Sequence, residues 1–194
     1  MNEDSLGNQI SVPNLNISDE GLHPKNVGAF SFDGEGTPTQ NIQLITNGIL
    51  THLLHSEATA RKFGVRPTGH AGLGAKVSVS PDWLVVSKSE SDSESDMDKD
   101  GSLTIKSTKK EYILIDELSA IHSGVKASQG SFSLPFDGWI VNDGKKTSIE
   151  AATVAGDILK VLSSIVKIEN EQIVTHQGIS PHVWVENMSI TGEA

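Results

Sequence analysis

Apolar and polar residues alternate over several short stretches of this chain, and few stretches carry apolar residues at helical spacing. Ile42 and Leu44 alternate with polar neighbours up to Thr46, and Asn47-Gly48 follows at once. Alternation marks a half-buried strand. Asn-Gly is a hairpin signal because both central residues of that turn need positive φ, so Ile49 to His55 is expected to return as the partner strand. Ser56 can cap a short helix through Arg61-Lys62, with Gly64 as its stop. Strands are expected at Lys76 to Val79, Trp83 to Val86, Glu111 to Ile115, Ser131 to Leu134, Gly138 to Val141 and His182 to Glu186, with a second hairpin turn at Asn142-Asp143-Gly144-Lys145. A short helix is expected from Asp116, as cap, to Gly124. The longest helical stripe is Val154, Ile158, Val161, Leu162 and Ile165, with Asp157, Lys160 and Ser164 off it. Strands outnumber helices and come as hairpins. The expected fold is therefore α+β, mainly antiparallel β-sheet hairpins with a few short helices.

Composition narrows the function classes. At 194 residues the chain is of single-domain length, and with 5% aromatic residues its core must be largely aliphatic. A net charge of −10 argues against a nucleic-acid groove, which needs clustered Lys and Arg. There are no cysteines, which excludes disulfides and thiolate metal ligands and is compatible with a reducing cytosol. The polar, acidic N-terminus lacks the basic and apolar regions of a signal peptide. No apolar run approaches the roughly 18 residues that span a bilayer. The expectation is a cytoplasmic protein with no membrane and no nucleic-acid partner.

Charge is concentrated between Ser87 and Gly101, where six carboxylates and two lysines give −4. Such a run buries too little apolar surface to offset its ordering entropy, so an acidic disordered loop is expected at 87–107. Asp96, Asp98, Asp100 and Gly101 imitate the start of a calcium loop, but the twelfth position is Ser107 instead of the bidentate Glu.

The most specific signal runs from Ser31 to Gly69. In order it carries Phe32-Asp33-Gly34-Glu35-Gly36-Thr37-Pro38-Thr39-Gln40, Thr46-Asn47-Gly48-Ile49-Leu50, His55-Ser56, Thr59-Ala60-Arg61-Lys62-Phe63-Gly64 and Pro67-Thr68-Gly69-His70. This succession resembles the TldD/PmbA (TldE) metallopeptidase family, in its C-terminal domain. Gly130-Ser131-Phe132-Ser133, Val154-Ala155-Gly156-Asp157 and the ending from Ser180-Pro181 are closer to the PmbA/TldE branch. The resemblance implies that residues 1–29 are an N-terminal arm, a remnant of the family's larger N-terminal half in which Pro13 to Ile17 keeps a strand. It implies a TldD/PmbA-like C-terminal domain over 30–194. It also marks Asp33, Glu35, Gly36, Pro38, Gln40, His55, Arg61, Pro67, Thr68, Gly69 and His70 as motif positions facing a turn, a substrate or a partner. The arginine pair that many members carry shortly after this point is absent, so an anion-binding role for it does not transfer.

In TldD the resemblance implies a zinc site built from a His-Glu-x-x-x-His helix in the N-terminal half and a Cys from the C-terminal half. A hydrolytic zinc needs about three protein ligands and one open position. This chain has no such motif and no cysteine. His52-x-x-His55 beside Glu57 is the best remaining cluster, but on a strand the two imidazoles face opposite sides; His176 and His182 straddle a turn. Asp33 and Glu35 read either as paired carboxylates for acid/base work or, preferably, as organisers of a tight turn through backbone amides. His122-Ser123 lacks an acid partner and a nucleophile elbow. No catalytic or metal residue is assigned, no cofactor is expected in this chain, and zinc is expected in a partner. The leading expectation is a non-catalytic partner or regulatory domain for a TldD-like metallopeptidase subunit, meeting small or unfolded peptides through the complex. The alternatives are half of a split metallopeptidase, whose metal motif comes from a separately encoded N-terminal half, and an inactive remnant.

Overall fold

The computed structural model describes residues 5–89 and 111–192. The acidic stretch read as a disordered loop and a calcium-loop imitation lies, from residue 90 to 107, outside the described residues. Two compact units are present: the first draws on Met1–Ser93 and Ile165–Trp184, the second on Glu94–Ser164 and Val185–Ala194.

In the first unit the chain forms β1 (Leu15–Glu20), β2 (Asn41–Thr46), β3 (Ile49–Leu50), helix α1 (Glu57–Phe63), β4 (Ala71–Gly72), β5 (Ser78–Val79) and β6 (Leu84–Lys88). The second unit contributes β7 (Glu111–Leu118), α2 (Ile121–Gly124), β8 (Val125–Lys126), β9 (Ser131–Asn142), β10 (Lys145–Asp157) and α3 (Ile158–Ser163). The chain then returns to the first unit with β11 (Ile165–Val174) and β12 (Gly178–Val185), and ends with β13 (Ser189–Thr191) in the sheet of the second. About 49% strand against 11% helix makes the fold α+β, as expected.

The first sheet has the order β11-β12-β6-β1-β2-β3. Strand β1 lies inside it, antiparallel to β2 on one side and to β6 on the other, with Ile17 opposite Ile45 and Val86. The β6–β12 pair is parallel. The β2–β3 hairpin turns at Asn47 (φ 50°) and Gly48 (φ 78°), as the Asn-Gly pair requires. Its return strand is only Ile49–Leu50; from Thr51, whose amide bonds the Leu44 carbonyl, the chain leaves the sheet. Leu15, Ile45, Leu50, Ala60, Trp83, Ile168 and Ile179 are buried in this unit. Helix α1 carries the expected caps. Ser56 Oγ accepts from the Thr59 amide, the Thr59 hydroxyl accepts from the Ser56 amide, and Gly64 closes the helix at φ 69°.

The second sheet runs β13-β10-β9-β7, with β8 beside β9. Leu134, Phe136, Ala152 and Val154 form its core, with Ile115, Phe132, Ile149, Met188 and Ile190 against them. The long β9–β10 hairpin turns at Asp143 (φ 47°) and Gly144 (φ 80°).

Two helix expectations fail here. Val154 sits in β10, opposite Leu134 on one side and Ile190 on the other, and only Ile158–Ser163 is helical. The stripe misleads because Val154, Ile158 and Leu162 are spaced by four and eight residues, which satisfies a two-residue period as well as a helical one. Asp157, read as a polar residue off the stripe, is the cap, accepting from the Leu159 and Lys160 amides. Asp116 does not cap a helix either. It lies within β7, and its Oδ2 accepts from the Trp139 indole at 2.6 Å. The following helix is one turn long and starts after Ala120, in the left-handed region at φ 55°.

Candidate functional site

The motif residues of the first unit converge on the loops that follow β1 and β2, and most of their polar groups bond other motif segments. In the Asp33 turn, Oδ1 accepts from the Glu35 and Thr37 amides at 2.9 Å each, and Oδ2 accepts from the Ala71 amide at 3.0 Å. One carboxylate thus closes its own turn, helped by Gly36 at φ 82°, and fastens it to the segment after Gly69. Glu35 Oε2 accepts from the Glu57 amide at 2.8 Å, satisfying an open donor of the first turn of α1. Gln40 donates to the Pro67 carbonyl at 3.3 Å. Thr68 embraces His55: its Oγ1 accepts from the His55 amide at 2.8 Å and donates to the His55 carbonyl at 3.2 Å. The buried His55 ring meets the Thr59 hydroxyl at 3.3 Å and tilts against Phe63. Gly69 (φ 77°) leaves no room for a β-carbon beside the Pro38 carbonyl. Arg61 stands apart, 82% exposed and 3.8 Å from Glu57 one turn earlier in its helix.

Asp33→Ala would orphan three amides at once. Net hydrogen bonds to a charged acceptor are worth about 1.5–3 kcal/mol, and partial exposure allows water to compensate. The expected loss is about 2 kcal/mol, to be read by urea denaturation, and an unchanged midpoint would contradict this account of the turn.

Behind the motif loops lies a pair that the sequence pattern does not single out. His70 Nε2 is 3.5 Å from Asp19 Oδ2, and both side chains are fully buried. At that separation the contact is an ion pair, and neither ring nitrogen completes a well-formed hydrogen bond. Asp19 also accepts from the Asp82 amide at 2.9 Å and the Trp83 amide at 3.1 Å. Burial pushes the Asp19 carboxyl up, but His70 and the two amides outweigh it and hold it below the usual value. Burial likewise works against charge on His70. The close Asp19 carboxylate, with help from Asp82 and the Thr68 carbonyl, outweighs it and raises His70 above the ordinary imidazole value. Asp82 is raised, first by burial and then by the neighbouring Asp19 and Asp33 charges, against a lowering by His70. Asp19 and Asp82 escape sequence reasoning because a charged residue at a strand end and one after Pro81 are ordinary surface patterns. The only hint is that Asp82 directly precedes the buried Trp83, and that Asp19 shares a strand with the buried Leu15.

His70 and Asp82 line an open cleft of about 630 Å³, whose rim carries Val27, Phe30, Phe32 and Leu73. The other histidines do not join it into a metal centre. His52 bonds the Gln43 carbonyl at 2.8 Å, away from His55, while His176 borders the cleft and His182 is exposed. Among the described residues no group of three or more His, Cys, Asp or Glu side chains could hold a metal ion. Among the described residues the donors do not fit a tetrahedral zinc, because no third His, Asp or Glu joins a pair of them and the Asp33 and Asp19 oxygens already accept backbone amides.

The family model described as the PmbA/TldA metallopeptidase C-terminal domain matches residues 1–192. This chain belongs to the PmbA/TldD metallopeptidase family. Within it, the chain is a C-terminal domain of the PmbA/TldE type. The metalloprotease PmbA of Escherichia coli O157:H7 is 29% identical over 98% of this chain and 38% of its own length. A Thermotoga maritima MSB8 crystal structure, described as a candidate modulator of a DNA gyrase, aligns with a TM-score of 0.78 at 31% identity, over 96% of this chain and 41% of that one. TldE from Thermococcus kodakarensis shares the fold, with a TM-score of 0.74 at 22% identity, over 97% of this chain and 42% of its own. The chain thus spans about two-fifths of the length of these relatives.

Proposed function

We propose that this chain is a non-catalytic partner or regulatory domain of a TldD/TldE-type zinc metallopeptidase system that degrades small or unfolded peptides in the cytoplasm. The water-activating zinc belongs to the partner, a TldD-like subunit. The observation that carries this reading is the state of the motif carboxylates. Asp33 accepts three backbone amides and Glu35 Oε2 accepts the first amide of α1, so these groups serve as fasteners in preference to a general base. The donor set points the same way, since a hydrolytic zinc needs ligands that the described residues do not bring together. Among the described residues no helix is long and apolar enough to cross a membrane.

Co-expression with a TldD-like metallopeptidase, followed by size-exclusion chromatography, zinc analysis and a peptide-hydrolysis assay, tests the proposal. A co-eluting complex that holds zinc and cleaves peptide, beside a single chain that does neither, is the expected result. Stoichiometric zinc and hydrolysis in the isolated chain would overturn it. Activity appearing only with a separately encoded polypeptide that carries His-Glu-x-x-x-His would favour a split enzyme instead.

A further inference from the structure

We propose that the cleft beside His70 binds the amino terminus of a peptide whose first residue is apolar, with the α-ammonium on Asp82 and the side chain against Phe30, Phe32 and Leu73. The site would stand whether or not the partner reading does.

Four observations converge on that occupant. First, the cleft is roomy, about 630 Å³, and open to one side. Second, its rim exposes large apolar groups that the fold leaves uncovered: Phe30 is 76% exposed, Phe32 61% and Leu73 67%. Grouped exposed apolar residues around a concavity mark a binding surface more often than scattered ones do. Third, the charge is one-sided. Asp33 and Asp82 line the cleft while no described Lys or Arg does, and the buried His70 charge faces Asp19 behind it as well as Asp82. Fourth, the two carboxylates on the cleft differ in availability. Asp33 is consumed by three amides, whereas the Asp82 carboxylate accepts no hydrogen bond from any described residue. Asp82 contributes only its amide, to Asp19.

Gly21 keeps that carboxylate approachable. A β-carbon there would come within 2.9 Å of both Asp82 Oδ2 and the Thr39 methyl, narrowing the floor of the cleft. The buried His70 ring borders the same space with neither nitrogen in a completed hydrogen bond. An unsatisfied carboxylate at the foot of an apolar wall suits a primary ammonium carried next to an apolar side chain. A lone metal ion would leave the wall unused, and an anion would meet two carboxylates.

Isothermal titration of the full chain with Leu-Gly-Gly, N-acetyl-Leu-Gly-Gly, Gly-Gly-Gly and an acetylated peptide with an internal lysine tests the proposal. Leu-Gly-Gly should bind, and acetylation should weaken it at least about tenfold, the scale of one charge-assisted hydrogen bond. Gly-Gly-Gly should bind more weakly than Leu-Gly-Gly. Asp82→Asn keeps the backbone amide that Asp19 needs and should cost about the same factor as acetylation. Leu73→Ser, at an exposed position, should also weaken binding while leaving the thermal midpoint unchanged. Equal binding of the acetylated and free peptides would overturn the proposal, as would tight binding of the internal lysine, indifference to Asp82→Asn, or no binding by any peptide.

Discussion

Asp19→Ala should destabilise the first unit by about 3–5 kcal/mol. Removing one partner of a buried ion pair costs far more than the net worth of the pair, because the other charge is left without compensation. Here the amides of Asp82 and Trp83 also lose their acceptor. The pH dependence gives the effect a sign. His70 is raised in the folded state, so its contribution is complete below the ordinary value of 6.5 and is lost as pH rises through the higher folded value. Asp19 is lowered, so its contribution is complete above 3.8 and is lost as pH falls through the lower folded value. Asp82 is raised, so its contribution is complete below 3.8 and disappears as pH climbs through its folded value. The wild-type chain should therefore lose stability as pH rises above 6.5, and Asp19→Ala should weaken that limb, since His70 then loses the strongest group favouring its charge and keeps only Asp82 and the Thr68 carbonyl against burial. Urea denaturation of both proteins across a pH series is the measurement. Parallel profiles, or a loss below about 1 kcal/mol, would show that the pair is not the clamp described here.

Gly69→Ala comes next, with an expected loss on the order of 3 kcal/mol. Gly69 sits at φ 77°, where a β-carbon is strained, and that carbon would be driven into the Pro38 carbonyl. The conflict is with backbone, so no flexible side chain can move aside. Relief requires the 33–40 loop to part from the 67–71 segment, which would weaken the Gln40 to Pro67 and Asp33 to Ala71 bonds together. Gly74→Ala, where a β-carbon meets only the Lys76 carbonyl at an ordinary 3.6 Å, is the control and should be close to neutral. Thermal denaturation of the two variants should separate them by several degrees in the midpoint.

What the sequence discloses about this fold depends on how local the cause is. The Asn47-Gly48 and Asp143-Gly144 turns, the Ser56 cap and the Gly64 stop are each fixed by a residue whose backbone or hydroxyl acts within a few positions, and all can be read directly. Val154 defeats the reading because its spacing obeys both periods, and its burial between Leu134 and Ile190 is decided by strands far away in the chain. The same holds for Asp116, whose partner Trp139 is 23 positions on. Within the cleft, Asp33 and His70 belong to a motif, but Asp19 and Asp82 do not. They are found only when the fold brings residues 63 positions apart into hydrogen-bond range.

The return of the chain to the first sheet after a complete excursion has a consequence for biogenesis. Residues 165–184 supply β11 and most of β12, and β12 is the parallel neighbour of β6. A nascent chain that has emerged only as far as β10 would present β6 with one flank bare, and a bare strand flank recruits other polypeptides. Proteolysis or premature termination between Ser164 and Gly178 would leave the same flank uncovered, so aggregates should accumulate from such truncated products well before full-length protein shows any.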